Sequence, residues 1–91
     1  MQTPERAKAQ IAFKKASSLL QKIIEMMDDD RYCIDVMQQN LAVIGLLKSA
    51  HHSLMEGHLG SCVQVALDTG SPAKKKEMIE EILKVSKLAN K

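Results

Sequence analysis

The apolar residues of the first third of the chain recur at three- and four-residue intervals, the spacing of one face of an α-helix. Thr3, Pro4 and Glu5 form a helix start: threonine caps, proline fits the first helical position, and the carboxylate favours the positive end of the helix dipole. The apolar spacing ends at the aspartates of residues 28–30, which predicts a turn there. We therefore predict a first helix over residues 4–27.

The middle of the chain has neither a proline nor a cluster of turn residues between residues 31 and 67, which predicts one continuous helix there. At 1.5 Å per residue this helix would be about 55 Å long, and such a length requires a packing partner. One set of positions along it alternates steps of four and three residues, as in helices that pack over many turns. We call these positions the seam: Cys33, Met37, Asn40, Ile44, Leu47, His51, Leu54, His58, Cys62 and Val65.

A third, amphipathic helix is predicted over residues 72–89, after a break that ends at Gly70. Ser71 and Pro72 repeat the cap-then-proline start of the first helix. The predicted fold is therefore all-α. Residues 1–91 would form a single domain of three helices, of which the central one is very long.

Length and composition agree with such a fold. With 91 residues the chain is too short for two ordinary domains, so an elaborate function would need self-assembly. Its hydrophobic content of 45% includes one Tyr, one Phe and no Trp, which favours packed helices over sheets. The net charge of +2 is small for a protein that binds phosphate backbones, and it does not decide the partner.

The sequence also argues against several classes of protein. It has no Gly-rich phosphate loop and no nucleophile with a base and an orienting group, so we do not expect an enzyme. The N-terminal segment lacks an apolar signal core, and no segment reaches the roughly 18 apolar residues of a membrane span. We therefore expect a cytoplasmic protein without membrane association, whose cysteines are thiols.

Three seam residues have the spacing of a shared metal site. His58 and Cys62 stand four residues apart, so a helix projects both from one face. Cys33 precedes His58 by 25 residues, about seven helical turns, which returns it to that face but about 37 Å away. Antiparallel pairing of two long helices would bring Cys33 of one chain to His58 and Cys62 of the other, giving two equivalent sites. Two thiolates and an imidazole suit Cu(I) better than Zn(II), which normally takes four ligands.

Two other interpretations of these cysteines stay open. Free cysteines also behave as small buried apolar residues, so their spacing could reflect core packing. A bridge from Cys33 to Cys62 between chains could instead respond to persulfide or oxidants. We interpret the remaining histidines and several methionines as surface and packing residues: His51, His52, Met26, Met27, Met37, Met55 and Met78.

Residues 31–39, RYCIDVMQQ, together with residues 58–62, HLGSC, resemble the CsoR/RcnR family of bacterial metal-sensing repressors. The likeness spans nearly the whole chain, and the Cys, His and Cys positions match the copper-sensing branch. The resemblance implies a three-helix protomer, a dimer or dimer-of-dimers tetramer with ligands from both chains, and copper binding that releases operator DNA. It also implies that Tyr32 and Glu81 couple the metal to DNA affinity.

The first helix departs from the family pattern, because family repressors carry arginines where this chain reads AFKKASSL at residues 12–19. A further DNA-facing arginine of the family's central helix is replaced here by Ser49. Lysines can contact phosphates as point charges, without the bidentate geometry of arginine. The candidates for such contacts are Lys8, Lys14, Lys15 and Lys22.

Two functions follow from this combination. The first is Cu(I) buffering or delivery in the cytosol, to a copper-transporting ATPase or another copper protein, on a repressor scaffold that has lost its DNA-reading surface. The second is copper-responsive repression in which lysines replace arginines at the operator DNA. Because the arginines are missing, the sequence ranks buffering or delivery first.

Overall fold

The computed structural model describes residues 3–89, except for the side chain of Cys62. The described residues form helices and no strand, which confirms the predicted all-α fold. The helices are α1 (Pro4–Asp28), α2 (Cys33–Gly57), α3 (Val63–Thr69) and α4 (Pro72–Ala89), and a π-helical segment (His58–Cys62) joins α2 to α3. None of these helices is long and apolar enough to cross a membrane.

Short sequence signals set the starts of α1 and α4. The Thr3 hydroxyl accepts a hydrogen bond from the Arg6 backbone N–H at 3.0 Å. The Ser71 hydroxyl accepts one from the Lys74 backbone N–H at 3.2 Å. In both helices the capping residue is followed by a proline, whose missing N–H costs nothing at the first helical position.

The turn between α1 and α2 delays the start of the second helix. Asp30 has a φ of 55°, in the left-handed region that aspartate tolerates better than most residues. The carbonyl of Tyr32 accepts a hydrogen bond from the Asp35 N–H at 3.0 Å, which closes the first turn of the next helix. As a result α2 begins at Cys33, two residues later than the sequence predicts.

The long central helix is interrupted by the π-helical segment His58–Cys62, which the sequence analysis did not predict. Hydrogen bonds in a π-helix join residues five apart instead of four, and such segments inside α-helices are frequent at functional sites. The helical run then continues through α3 to Thr69, slightly beyond the predicted end at residue 67.

Gly70 ends α3 because the chain passes close to its own preceding turn. The Gly70 N–H donates to the Ala66 carbonyl oxygen at 2.7 Å. A Cβ at Gly70 would collide with that same oxygen. The φ of Gly70 is not positive, so the glycine is needed here for space and not for a left-handed conformation.

The chain forms two compact units, Met1–Gly57 and His58–Lys91. In the first unit α1 packs against α2 mainly through small side chains. Its buried residues are Ala9, Ala12, Ala16 and Met26 on α1 and Val43, Ala50 and Gly57 on α2. A Cβ at Gly57 would lie only 3.1 Å from the Cβ of Glu5, so the absence of a side chain lets the two helices approach closely.

The second unit contains the π-helical segment, α3 and α4, and among its described residues only Ala66 and Met78 are buried. On α4 the side chains of Ile79, Leu83 and Leu88 are 53%, 62% and 57% exposed. Across the described part of both units, eighteen large apolar side chains are exposed and no large side chain is completely buried. So much apolar surface is typical of a chain that assembles with others.

Candidate functional site

The central helix α2 has two faces of helical spacing, and only one of them packs against α1. The packed face contains Val43, Ala50 and Gly57. The seam residues Ile44 and His51 each follow a residue of the packed face by one position. The seam is therefore rotated by about 100° around the helix from the packed face. From Cys33 to His51 every seam residue is exposed, so this face is open in the described chain.

Cys33 is the first residue of α2 and carries an exposed, free thiol. Its neighbour Tyr32 is 70% exposed, and its carbonyl closes the first turn of the helix. The turn before them holds this pair at the end of the α1–α2 unit, where a second chain could reach the thiol.

His58 and Cys62 are the first and last residues of the π-helical segment. The imidazole of His58 is half-buried, and the side chain of Cys62 lies outside the described residues. The sequence analysis assumed a regular α-helix between these positions, and the structure corrects that assumption, because π-helical bonding replaces the i to i+4 pattern. Both predicted ligands nevertheless stay on one short segment, separated by a single widened turn.

The described residues do not by themselves test the predicted metal site, because the side chain of Cys62 lies outside them. Among the described residues, no group of three or more His, Cys, Asp or Glu side chains comes close enough to hold an ion. Cys33 belongs to the first compact unit, whereas His58 and Cys62 belong to the second. An intersubunit site made by Cys33, His58 and Cys62 therefore stays a prediction.

Tyr32 and Glu81 are likewise not brought together within one unit. Tyr32 belongs to the first compact unit, and Glu81 is exposed on α4 in the second. Their role in coupling metal and DNA stays a prediction that rests on the family resemblance.

The four candidate lysines lie exposed on α1, and three of them form a straight row. Lys8, Lys15 and Lys22 are separated by seven residues each, which places them on one line along the helix over about 21 Å. Lys14 joins this row beside an open concavity of about 450 Å³, lined by Lys14, Lys15, Ser18, Leu19 and Lys22. The ion pairs of the described residues involve none of these lysines. We call Lys8, Lys15 and Lys22 the lysine row; its seven-residue spacing was visible in the sequence but was not used there.

The opposite side of α1 is apolar. Phe13 and Leu20 each precede a residue of the lysine row by two positions, so they project about 160° away from it. Phe13 also lines a groove of about 430 Å³ between the two helices, together with Arg6, Ala9, Gln10 and Leu54. The helix pair thus has a basic side and an apolar side, and the apolar side continues onto the seam of α2 through Leu54.

Comparison with known proteins gives a consistent result over most of the chain. A family model described as metal-sensitive transcriptional repressor matches residues 5–87. The copper-sensing transcriptional repressor RicR of Mycobacterium tuberculosis is 31% identical over 75 residues, which cover 82% of this chain and 78% of the relative.

Two further relatives carry the name copper-sensing transcriptional repressor CsoR. The protein of Mycobacterium ulcerans is 35% identical over 81 residues, covering 88% of this chain and 69% of the relative. The protein of Bacillus subtilis is 32% identical over 74 residues, covering 81% of this chain and 70% of the relative. All three relatives are thus named for copper sensing and for repression of transcription.

Proposed function

Because the chain belongs to the CsoR family of metal-sensitive transcriptional repressors, we propose that it is a copper-responsive repressor that binds operator DNA and releases it when Cu(I) binds. It would act in the cytoplasm, as a homodimer or homotetramer. The relatives, which are named copper-sensing transcriptional repressors, favour this function over the copper delivery that the sequence ranked first.

The observation that carries this proposal is the lysine row on α1. A row of about 21 Å is long enough to reach several phosphates of a DNA backbone. Lysines in such a row neutralise phosphates without reading bases, so they would position the protein and supply salt-dependent affinity. The neighbouring Lys14 and Ser18 extend the same surface toward a further phosphate.

The copper ligands of this proposal are Cys33 of one chain and His58 with Cys62 of a second chain. Their donor set fits Cu(I), because two thiolates and one imidazole are soft ligands that can satisfy a three-coordinate ion. The accessible thiol of Cys33 and the open seam beside it support an intersubunit site, since a second α2 could pack there without displacing α1. Copper would add a link between the two chains.

In the same proposal, Tyr32 and Glu81 couple copper binding to DNA affinity. Tyr32 adjoins Cys33 directly, and its carbonyl holds the first turn of α2. Glu81 lies on α4, which packs within the second unit only against α3. A change at Cys33 would therefore reach α1 through the start of α2, whereas the part played by Glu81 rests on the family resemblance.

A second function, Cu(I) buffering or delivery, is favoured by one observation. Arg6 is the only arginine of α1, so the basic face consists of lysines that cannot grip a phosphate in bidentate fashion. In this case the partner would be a copper-transporting ATPase or another copper protein, and DNA would bind weakly and without response to copper.

A mobility-shift assay separates the two functions. Copper-free protein is mixed with DNA from its own upstream region at low and moderate salt, and Cu(I) is then added under anaerobic conditions. The repressor predicts tight binding that copper reverses. A protein that does not bind this DNA even at low salt contradicts repression and leaves delivery.

Two variants test the ligands in the same assay. Cys33→Ala should bind the DNA normally but no longer release it with Cu(I), because one thiolate of the site is lost. Met27→Leu removes an exposed sulfur on α1 and should behave as the wild type. If copper still releases Cys33→Ala at the wild-type concentration, the ligand assignment is wrong.

A further inference from the structure

Three more soft donors lie on the open face of α2. Met37 is 50% exposed, His51 is exposed and Met55 is half-buried. None of the three is on the face that contains Val43 and Ala50 and packs against α1. In the described chain Met26 and Met78 are buried as packing residues, whereas the packing assigned to Met37 stays a prediction.

Helical spacing places Met37 near Cys33 at the start of α2, and His51 near Met55 toward its end. His51 and Met55 are four residues apart in a regular part of α2, so their side chains lie on one face. Met37 follows Cys33 by four residues, one turn along the same face. The adjacent His52 points elsewhere and is engaged by Glu56, with 2.7 Å between Nε2 and Oε1. His51 is thus the histidine that the open face of α2 offers to a ligand.

Antiparallel pairing of two seams would bring the three donors together. In such a pair, one turn forward on one helix corresponds to one turn back on the other. Suppose that Cys33 of one copy lies beside His58 and Cys62 of the second copy. Met37 of the first copy, one turn after Cys33, then lies opposite Met55 of the second copy, which is one turn before His58. His51 is the next residue back on the face of Met55.

We propose that Met37 of one copy and His51 with Met55 of the second copy form a second Cu(I) site, one helical turn from the site of Cys33, His58 and Cys62. This inference rests on the antiparallel pairing in the proposed function. Two thioethers and one imidazole are soft donors that select Cu(I) over harder ions. All three are neutral, so this second site binds the ion more weakly than the thiolate site. It is suited to receiving or passing on an ion.

The test uses the full chain labelled with ¹³C at its methionine methyl groups and titrated anaerobically with Cu(I) at a fixed concentration of a competing chelator. The chain has six methionines, so six methyl signals are followed. We expect the signals of Met37 and Met55 to move chiefly during the second equivalent per chain, while those of the buried Met26 and Met78 stay in place. Met37→Leu and Met55→Leu identify the two signals.

Stoichiometry gives an independent readout. The wild type should bind two Cu(I) per chain, and the double variant Met37→Leu/Met55→Leu should bind one, because leucine preserves packing and removes the sulfur. Met27→Leu, the matched control on α1, should still bind two. A wild type that binds one Cu(I), with no movement of the Met37 and Met55 signals, overturns the second site.

The variant Cys33→Ala distinguishes this failure from failure of the proposed function. If the proposed function holds, Cys33→Ala loses the tighter of the two sites and keeps the weaker one, with the Met37 and Met55 signals moving at the first equivalent. If Cys33→Ala retains the tight site, the ligand set of the proposed function is wrong. In that case the pairing on which the second site depends falls with it.

Discussion

The two faces of α2 differ in the size and chemistry of their residues. The face toward α1 carries Val43, Ala50 and Gly57, which are small enough for the helices to approach closely, and they are buried in the single chain. The seam, one residue further around the helix, carries large apolar residues and soft donors, and it is exposed. One face therefore packs within the chain, and the other is exposed and accessible to a second molecule.

The largest expected effect comes from a charge placed on the packed face. Ala50 is fully buried, with 0% exposure, so Ala50→Asp would bury an unpaired carboxylate and should lower the free energy of unfolding by about 3–5 kcal/mol. Thermal or urea unfolding followed by circular dichroism measures the change. Ala42→Asp puts the same charge on an exposed position of α2 and should have little effect. Equal losses in both variants would contradict the assignment of the packed face.

The same substitution on the seam should spare the fold and break the assembly. Ile44→Asp places two carboxylates near each other at a pairing of two seams, so the dissociation constant of the oligomer should rise by about 100-fold, or roughly 3 kcal/mol. Helical content should remain, since Ile44 is 38% exposed and is not among the buried residues of α2. Sedimentation or light scattering over a dilution series gives the measurement.

Gln38→Asp, an exposed position of α2 outside the seam, is the control for this variant. It should assemble as the wild type does. If Ile44→Asp stays fully oligomeric while Gln38→Asp dissociates, then the chain pairs through another face, and both the intersubunit copper site and the second site lose their basis.

This contrast also shows what could be read from the sequence. The starts of α1 and α4 were predictable because Thr3 with Pro4, and Ser71 with Pro72, act on their own first turns. The two faces of α2 were harder to tell apart. Both have three- and four-residue spacing, and spacing alone does not say which face is covered within the chain. The structure assigns the intrachain face to the small residues, for which the sequence analysis had no rule.

The residues of the candidate site could be proposed from the sequence, but their local geometry could not. Soft donors at helical spacing single out Cys33, His58 and Cys62 because their chemistry is specific. The π-helical segment between His58 and Cys62 leaves no mark in the pattern of apolar residues, since one extra backbone residue per turn changes hydrogen bonding and not composition. Likewise, the structure of a single chain does not show a site whose ligands come from two chains.

The two sides of α1 repeat the contrast, with charge in place of size. The triple variant Lys8→Gln/Lys15→Gln/Lys22→Gln removes the charge of the lysine row and should weaken DNA binding by at least about tenfold at moderate salt. The magnitude of the slope of log affinity against log salt should fall by about 2.7, because each of the three phosphate contacts contributes about 0.9. The oligomeric state should not change. Mobility shifts or fluorescence anisotropy at several salt concentrations measure both quantities.

The matched control removes the same charge from α4. Lys74→Gln/Lys75→Gln/Lys76→Gln lowers the net charge equally and leaves the lysine row intact. This variant should keep most of the salt slope. An equal loss in both variants would mean that DNA responds to net charge alone, and the lysine row would then have no special role.

The smallest expected effect is that of a methyl group added at Gly45, and comparison with Gly57 sharpens the contrast between the two faces of α2. A Cβ at Gly45 would meet nothing within 4 Å, so Gly45→Ala should raise the free energy of unfolding by about 0.5–1 kcal/mol through helix propensity. At Gly57 a Cβ would lie 3.1 Å from atoms of Thr3 and Glu5, so Gly57→Ala should instead cost about 1–3 kcal/mol. Urea unfolding at protein concentrations above and below the dissociation constant separates the chain from its assembly. If Gly45→Ala destabilises only the assembled protein, then a second copy packs against the backbone at Gly45, and the pairing surface of α2 is wider than the seam.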